Sequence, residues 1–137
     1  FAQIDKAIQE SATKRQELQD KIKEIEHEIN QLSMTMENIY TIKKYLHIYQ
    51  VYKEDTTDKA FLKENQTEIT LYRNALKNLK KSYAKLPNTK KILTQLDLLQ
   101  EKKNTLFQEY SSTKNSISEL YQFRKNYEKY LGEEVER

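Results

Sequence analysis

Apolar residues recur at alternating spacings of three and four along much of this chain, and neither proline nor glycine interrupts its first 86 residues. The repeat has two positions in the first third of the chain. One position holds Ile4, Ser11, Leu18, Ile25, Leu32, Ile39 and Leu46, and the other holds Ile8, Arg15, Ile22, Ile29, Met36 and Lys43. This spacing places the residues on a narrow stripe of an α-helix, as in a coiled coil. The sequence therefore predicts a first helix over residues 3–53.

A polar break separates this helix from a second one. The break is residues 54–58, EDTTD, in which Asp55 or Thr57 is expected to cap the next helix. The second helix is predicted over residues 58–85. Residues 65–67 have low helix propensity, and we expect a bend there.

The second break contains Pro87, the single proline of the chain. The residue before a proline avoids the α conformation, so the second helix is expected to end there. A third helix is predicted over residues 89–131, with Asn88 or Thr89 as its cap and Gly132 as its end. Its seam reads Ile92, Leu96, Leu99, Lys103, Leu106, Tyr110, Thr113, Ile117, Leu120, Arg124, Tyr127 and Leu131.

These elements predict an all-α fold of three long helices in a single elongated domain, residues 1–137, excised from a longer protein. From Ile39 the apolar surface of the first helix widens, which requires a second neighbouring helix. The favoured topology is an antiparallel coiled-coil hairpin with the middle helix packed at its tip. The alternative is an up-down-up three-helix bundle with overhanging ends, which would form a dimer.

The net charge of +3 is unevenly distributed. Residues 38–96 hold twelve basic and five acidic residues, whereas the segments on either side are mildly acidic. A basic segment of this kind favours nucleic acid or an acidic protein surface, although a solvated lysine-rich face explains it equally well. The predicted contacts with DNA or an acidic partner are Lys43, Lys44, Arg73, Lys77, Lys80, Lys81, Lys85, Lys90 and Lys91.

Six tyrosines accompany these basic residues: Tyr40, Tyr45, Tyr49, Tyr52, Tyr72 and Tyr83. Aromatic rings interleaved with cations can stack the bases of single-stranded DNA. Four of the rings, however, lie at or near seam spacing, where packing is the commoner role. Tyr40 and Tyr52 are less constrained by the repeat.

The sequence lacks the residue patterns of a catalytic or metal site. It has no cysteine, its single glycine excludes a Gly-rich phosphate loop, and His27 and His47 are 20 residues apart on one predicted helix. We therefore expect no enzymatic activity, no cofactor and no metal. No apolar run is long enough to span a bilayer, so we expect no membrane insertion. The expected location is the cytoplasm.

Three segments carry a family resemblance: TIKKYLHIYQVYKE, KAFLKENQTEITLYRNALKNL and KLPNTKKILTQLDLLQEKKNTLFQEYSSTKNSISEL. Their order resembles the C-terminal helical region of mobilisation relaxases from conjugative and mobilisable elements of Gram-positive bacteria. The resemblance implies a non-catalytic accessory domain of a DNA-nicking parent. It would help to hold single-stranded or origin DNA, or dock the nucleoprotein onto conjugation machinery proteins.

The chain departs from that family pattern at Asn65–Gln66, where relatives often carry a His–Glu-like pair. No site built on such a pair is expected here, and none of the tyrosines is assigned as the nicking nucleophile. The alternative function, from a different class, is a structural coiled-coil spacer that binds partner helices or forms a homodimer. The apolar repeat from Leu18 to Ile39 favours that alternative.

Overall fold

The computed structural model describes the backbone of residues 1–136 and the side chains of residues 1–132. All regular secondary structure in that part of the chain is helical: α1 is Ala2–Glu54, α2 is Lys59–Glu64, α3 is Gln66–Ser82 and α4 is Thr89–Glu136. The predicted all-α fold class is therefore confirmed. None of these helices combines the length and the apolar character needed to cross a membrane.

The chain forms two compact units, and both α1 and α4 contribute to each of them. Unit 1 contains Phe1–Glu28 and Leu98–Arg137, and unit 2 contains Ile29–Asp97. The prediction of a single domain over the whole chain remains a prediction.

In unit 1 the α1 and α4 segments run antiparallel, as two ion pairs show. Arg124 Nη1 lies 3.1 Å from Asp5 Oδ1, and Lys103 Nζ lies 3.5 Å from Glu26 Oε1. The number of residues from Asp5 to Glu26 on α1 equals the number from Lys103 to Arg124 on α4. The register between the two helices is therefore the same at both ion pairs. The buried residues follow the predicted 3-4 spacing: Ile8, Leu18, Ile22, Ile25, Thr113 and Ile117.

In unit 2 the core is built from α1, α3 and the start of α4. Its buried cluster consists of Ile39, Ile42, Tyr72, Ala75, Leu79 and Ile92. Half-buried apolar residues surround this cluster, among them Met36 and Leu96. The widened apolar surface of α1 is thus covered by more than one neighbouring helix, as the sequence indicated.

The predicted seam of α1 is wrong beyond Ile39. Lys43 and Leu46 were expected to continue the stripe, but both are exposed, Leu46 by 40%. The inward-facing positions after Ile39 are instead Ile42 and Tyr45, which belong to the unit 2 core. In this part of α1 two helices cover the surface, so the buried face is wider and displaced from the stripe that a single partner would cover.

The predicted second helix, 58–85, is two helices separated by Asn65. The backbone N–H and the side-chain Nδ2 of Asn65 both donate to the carbonyl oxygen of Phe61, each at 3.0 Å. With φ −114° and ψ 19°, Asn65 leaves helical geometry at the first of the three residues where a bend was expected. A side chain that bonds to a nearby carbonyl competes with the regular helix in this way.

The end of α3 also differs from the prediction, because it lies at Ser82 rather than residue 85. Tyr83 adopts extended backbone angles, φ −132° and ψ 131°, and its half-buried ring packs against the unit 2 core. The conformational restriction from Pro87 reaches only the residue before it. Tyr83 therefore ends the helix before the proline can.

The helix caps follow the predicted chemistry but not always the predicted residue. Asp58, rather than Asp55 or Thr57, caps α2: its Oδ1 accepts from the backbone N–H of Phe61 at 3.0 Å. Asp55 instead accepts hydrogen bonds from Thr57. The Thr57 hydroxyl, and after it the Thr57 backbone N–H at 3.0 Å, lower the pKa of Asp55.

The start of α4 agrees with the sequence, and its end does not. Asn88 Oδ1 accepts from the backbone N–H of Lys90 at 3.0 Å, which makes Asn88 the cap. The expectation that Gly132 ends this helix is wrong, since α4 continues to Glu136. A glycine that ends a helix takes a positive φ, and no described glycine does so.

Candidate nucleic-acid interface

All the predicted contact residues lie in unit 2, and every one of them is exposed. Unit 2 contains twelve basic and seven acidic residues, for a net charge of +5. Unit 1 contains twelve basic and fourteen acidic residues, for a net charge of −2. The positive charge of the chain is therefore a property of unit 2.

The two units also differ in their ion pairs. The four ion pairs among the described side chains all join residues of unit 1. In the described part of unit 2, no lysine or arginine has a carboxylate oxygen within 4.0 Å. The basic groups of unit 2 are consequently open to an external anion.

Three lysines occupy the solvent side of α3. Lys80 and Lys81 lie three and four residues after Lys77, so each is a neighbour of Lys77 on the helix surface. The opposite side of the same helix is buried in the core through Tyr72 and Leu79. The core contacts thus fix the direction in which the lysines project.

Further lysines flank this row. Lys85 is exposed in the connection after α3, and Lys90 and Lys91 are exposed in the first turn of α4. The helix dipole also carries partial positive charge at this end of α4, which adds to the charge of these ammonium groups. Lys43 and Lys44 add two exposed charges on α1.

Arg73 differs from the lysines because its guanidinium already has partners within unit 2. Its Nη2 donates to the hydroxyl oxygen of Tyr52 at 3.0 Å, and its central carbon lies 5.1 Å from the centre of that ring. The hydroxyl groups of Tyr49 and Tyr52 raise the pKa of Arg73, Tyr49 most strongly. Arg73 therefore joins α3 to α1, a contact that the sequence analysis did not identify.

Most tyrosines of the basic segment pack inside unit 2. Tyr49 and Tyr72 stack with ring centres 4.2 Å apart and an angle of 20° between the rings. Burial is the main cause that raises the pKa of Tyr72, and the proximity of Tyr49 raises it further. Tyr45 and Tyr83 are half-buried against the same core. The packing role that the seam spacing indicated thus describes these four rings.

The two less constrained tyrosines have opposite environments. Tyr52 is buried, with 7% exposure, and accepts the hydrogen bond from Arg73. Tyr40 is 66% exposed, and the ammonium nitrogen of Lys44 lies 5.9 Å from its ring centre. Sequence spacing treated the two alike, because the hydrogen-bond partner of Tyr52 is 21 residues away in the chain.

His27 and His47 are both exposed. Within the described residues, no group of three or more histidine, cysteine, aspartate or glutamate side chains is arranged to hold a metal ion. The expected absence of a metal, a cofactor and an enzymatic activity remains a prediction.

Comparisons of the chain with protein families, curated proteins and solved structures find no match. The resemblance to mobilisation relaxases therefore rests on the quoted segments alone. The geometry and charge of unit 2 supply the argument for function independently of it.

Proposed function

We propose that this chain is a non-catalytic helical accessory module that holds nucleic acid on unit 2. The binding surface, called here the basic surface, consists of Lys43, Lys44, Lys77, Lys80, Lys81, Lys85, Lys90 and Lys91. One observation carries the proposal: these ammonium groups are exposed and, among the described side chains, lack carboxylate partners. When such lysines neutralise the phosphates of a nucleic acid, the cations condensed on the nucleic acid are released, and this release favours binding.

A nucleic acid fits the basic surface better than an acidic side chain of a folded protein. The lysines are spread over α1, α3, the connection after α3 and the start of α4. A nucleic acid can contact such dispersed lysines, because every nucleotide of its backbone carries a negatively charged phosphate. An acidic partner protein is the competing outcome of the test below.

The biological setting follows from the resemblance and belongs to the same proposal. The module would lie beside the DNA-nicking domain of a mobilisation relaxase in the cytoplasm. There it would hold single-stranded or origin DNA, or dock the nucleoprotein onto conjugation proteins. The proposed topology is the antiparallel coiled-coil hairpin, which the antiparallel ion pairs within unit 1 support.

Charge reversal tests the proposal. The quadruple variant Lys77→Glu, Lys80→Glu, Lys81→Glu and Lys85→Glu should bind labelled DNA more weakly than the original chain in fluorescence anisotropy titrations. The plot of log affinity against log salt concentration has a negative slope. This slope should become less steep by about 0.7 for each replaced lysine that contacts a phosphate of the single strand. Helix content by circular dichroism should not change, because all four side chains are exposed.

The matched control reverses four exposed lysines of unit 1: Lys14, Lys21, Lys102 and Lys114. It has the same net charge as the test variant, so net charge alone predicts equal losses, whereas the proposal predicts a much smaller loss for the control. Equal DNA affinity of the test variant and the original chain would exclude the basic surface. Binding of poly-glutamate as tightly as DNA would instead favour an acidic protein partner.

A second candidate function is the structural coiled coil that binds partner helices or a second copy. The observation that favours it is in unit 1, where Tyr127 and Leu131 of the predicted seam are 42% and 37% exposed. Exposed Phe123 and Tyr130 lie next to them on α4. Sedimentation that shows a tight dimer, with no affinity for DNA at low salt, would support this function over the first.

A further inference from the structure

We propose that Tyr40 is the base-stacking side chain of the basic surface, and that it makes this surface prefer single-stranded nucleic acid to a duplex. The inference rests on the proposed function and specifies its ligand. It depends on the state of each tyrosine in unit 2 and on the residues that surround Tyr40.

Five of the six tyrosines in unit 2 are unsuited to stack on a base. Tyr52 and Tyr72 are each 7% exposed, and the ring of Tyr49 is stacked on Tyr72. Tyr45 and Tyr83 are half-buried against the core. A base could reach any of these rings only if the packing of unit 2 were disturbed.

Tyr40 is the exception. Two-thirds of its surface is exposed (66%), although it directly follows Ile39, which is 1% exposed. Adjacent residues on a helix point about 100° apart, so the burial of Ile39 holds Tyr40 toward solvent. The helix therefore directs the Tyr40 ring toward solvent.

The exposed residues that follow Tyr40 on the same side of α1 are basic, whereas Glu37, three residues before it, is acidic and also exposed. Lys43, Lys44 and His47 follow it at distances of three, four and seven residues, and all are exposed on the same side of the helix. Lys44 Nζ lies 5.9 Å from the ring centre of Tyr40 and 5.3 Å from that of Tyr45. An aromatic ring beside an ammonium group matches a nucleotide, whose base can stack while its phosphate meets a lysine.

This arrangement distinguishes single strands from duplexes. The bases of a duplex are stacked on one another inside the helix, so their flat faces are closed to a protein ring, whereas single strands leave those faces accessible. Lysine contacts with phosphates serve both forms. Removal of the Tyr40 ring should therefore affect the single-stranded complex alone.

The experiment compares labelled oligothymidylate with a duplex of equal length in anisotropy titrations at fixed salt. Tyr40→Ala should weaken binding of the single strand by about fivefold or more, the lower end expected for the loss of one stacked base. Duplex affinity should be unchanged, and so should the salt slope, because no charge is removed. Tyr40→Phe should bind like the original chain.

The matched control is Tyr121→Ala, which removes a ring of similar exposure, 54%, from unit 1. It should change neither affinity. Circular dichroism should show the same helix content for every variant, since both rings lie on the surface.

The possible results separate this inference from the proposed function. Lysine-dependent binding that Tyr40→Ala leaves intact, or weakens equally for single strands and duplexes, would overturn the role of Tyr40 and retain the proposed function. An original chain that binds neither form at low salt would overturn both. A selective loss for the single strand, absent in Tyr121→Ala, would establish the stacking contact.

Discussion

Ile39 and Leu46 are seven residues apart on α1 and occupy equivalent positions of the predicted repeat, but their environments differ. Ile39 is 1% exposed in the unit 2 core, and Leu46 is 40% exposed. Ile39→Ala should lower the free energy of unfolding by about 2–5 kcal/mol, because it leaves a cavity in a packed core. Leu46→Ala should lower it by about 1 kcal/mol or less, since it removes little buried surface.

Urea denaturation followed by circular dichroism measures both changes. The pair controls for helix propensity, as both variants place alanine on the same helix. Equal losses for the two variants would mean that the repeat continues to Leu46 as the sequence predicted and that the described burial of α1 is wrong.

Sequence spacing placed most of the buried seam residues of unit 1 correctly, and also Ile39 and Ile92 of the unit 2 core. The 3-4 pattern located Leu18, Ile22 and Ile25 in α1 and Ile117 in α4, all of them buried. It failed beyond Ile39, where two helices cover α1, because the buried positions then depend on which segments fold back. The burial of Tyr52 and its hydrogen bond with Arg73 have no local signal in the sequence.

At the scale of the element, local chemistry predicted where helices begin better than where they end. Asn88 caps α4 as expected, because the cap uses a side chain that bonds to the next turn. The end of α3 depends on Tyr83, whose ring packs against a core assembled from distant segments. The end of α3 predicted from Pro87 is consequently wrong, and so is the end of α4 predicted from Gly132.

The antiparallel pair of unit 1 contains a polar interruption that can be tested. Arg15 is half-buried in the seam, and the register of the two inter-helix ion pairs places it opposite residues 113–114, where Thr113 is buried. A polar residue at such a position helps to specify register at a cost in stability. Arg15→Leu should therefore raise the free energy of unfolding by about 1 kcal/mol, as one more apolar side chain enters the seam.

Thermal and urea denaturation measure the effect of Arg15→Leu. Lys14→Leu is the control. Lys14 directly precedes Arg15 on α1 and is exposed, so this variant should change the free energy of unfolding little. A lower stability of Arg15→Leu would show that the arginine makes a favourable contact in the seam and does not merely interrupt it.

At the scale of the whole molecule, the sequence predicted the charge pattern and the fold class, but not the division into units. Composition along the chain located the positive segment, and unit 2 contains all of it. Burial in three dimensions was needed to show which aromatic rings remain available beside those charges. The proposed nucleic-acid ligand follows from both kinds of information together.

The two units should also differ in local stability, which amide hydrogen exchange read by mass spectrometry can measure. Both side chains with less than 2% exposure, Ile39 and Ile69, belong to unit 2. By contrast, Tyr121, Phe123 and Tyr130 near the end of α4 are each more than half exposed. Local opening requires less free energy where few apolar contacts are lost. Among peptides from the helices, those around Ile39 and Ile69 should therefore exchange most slowly, and those from residues 121–132 fastest.

The same measurement also bears on the choice between the two candidate functions. If a second copy covers the exposed aromatic residues of α4, exchange in residues 121–132 should become slower as protein concentration rises, because association protects the bound state. A module that acts on nucleic acid through unit 2 should show no such dependence. Added single-stranded DNA should instead slow exchange in the α1 peptides around Tyr40 and leave residues 121–132 unchanged. Slow exchange in residues 121–132 at every concentration would contradict the exposure of these side chains.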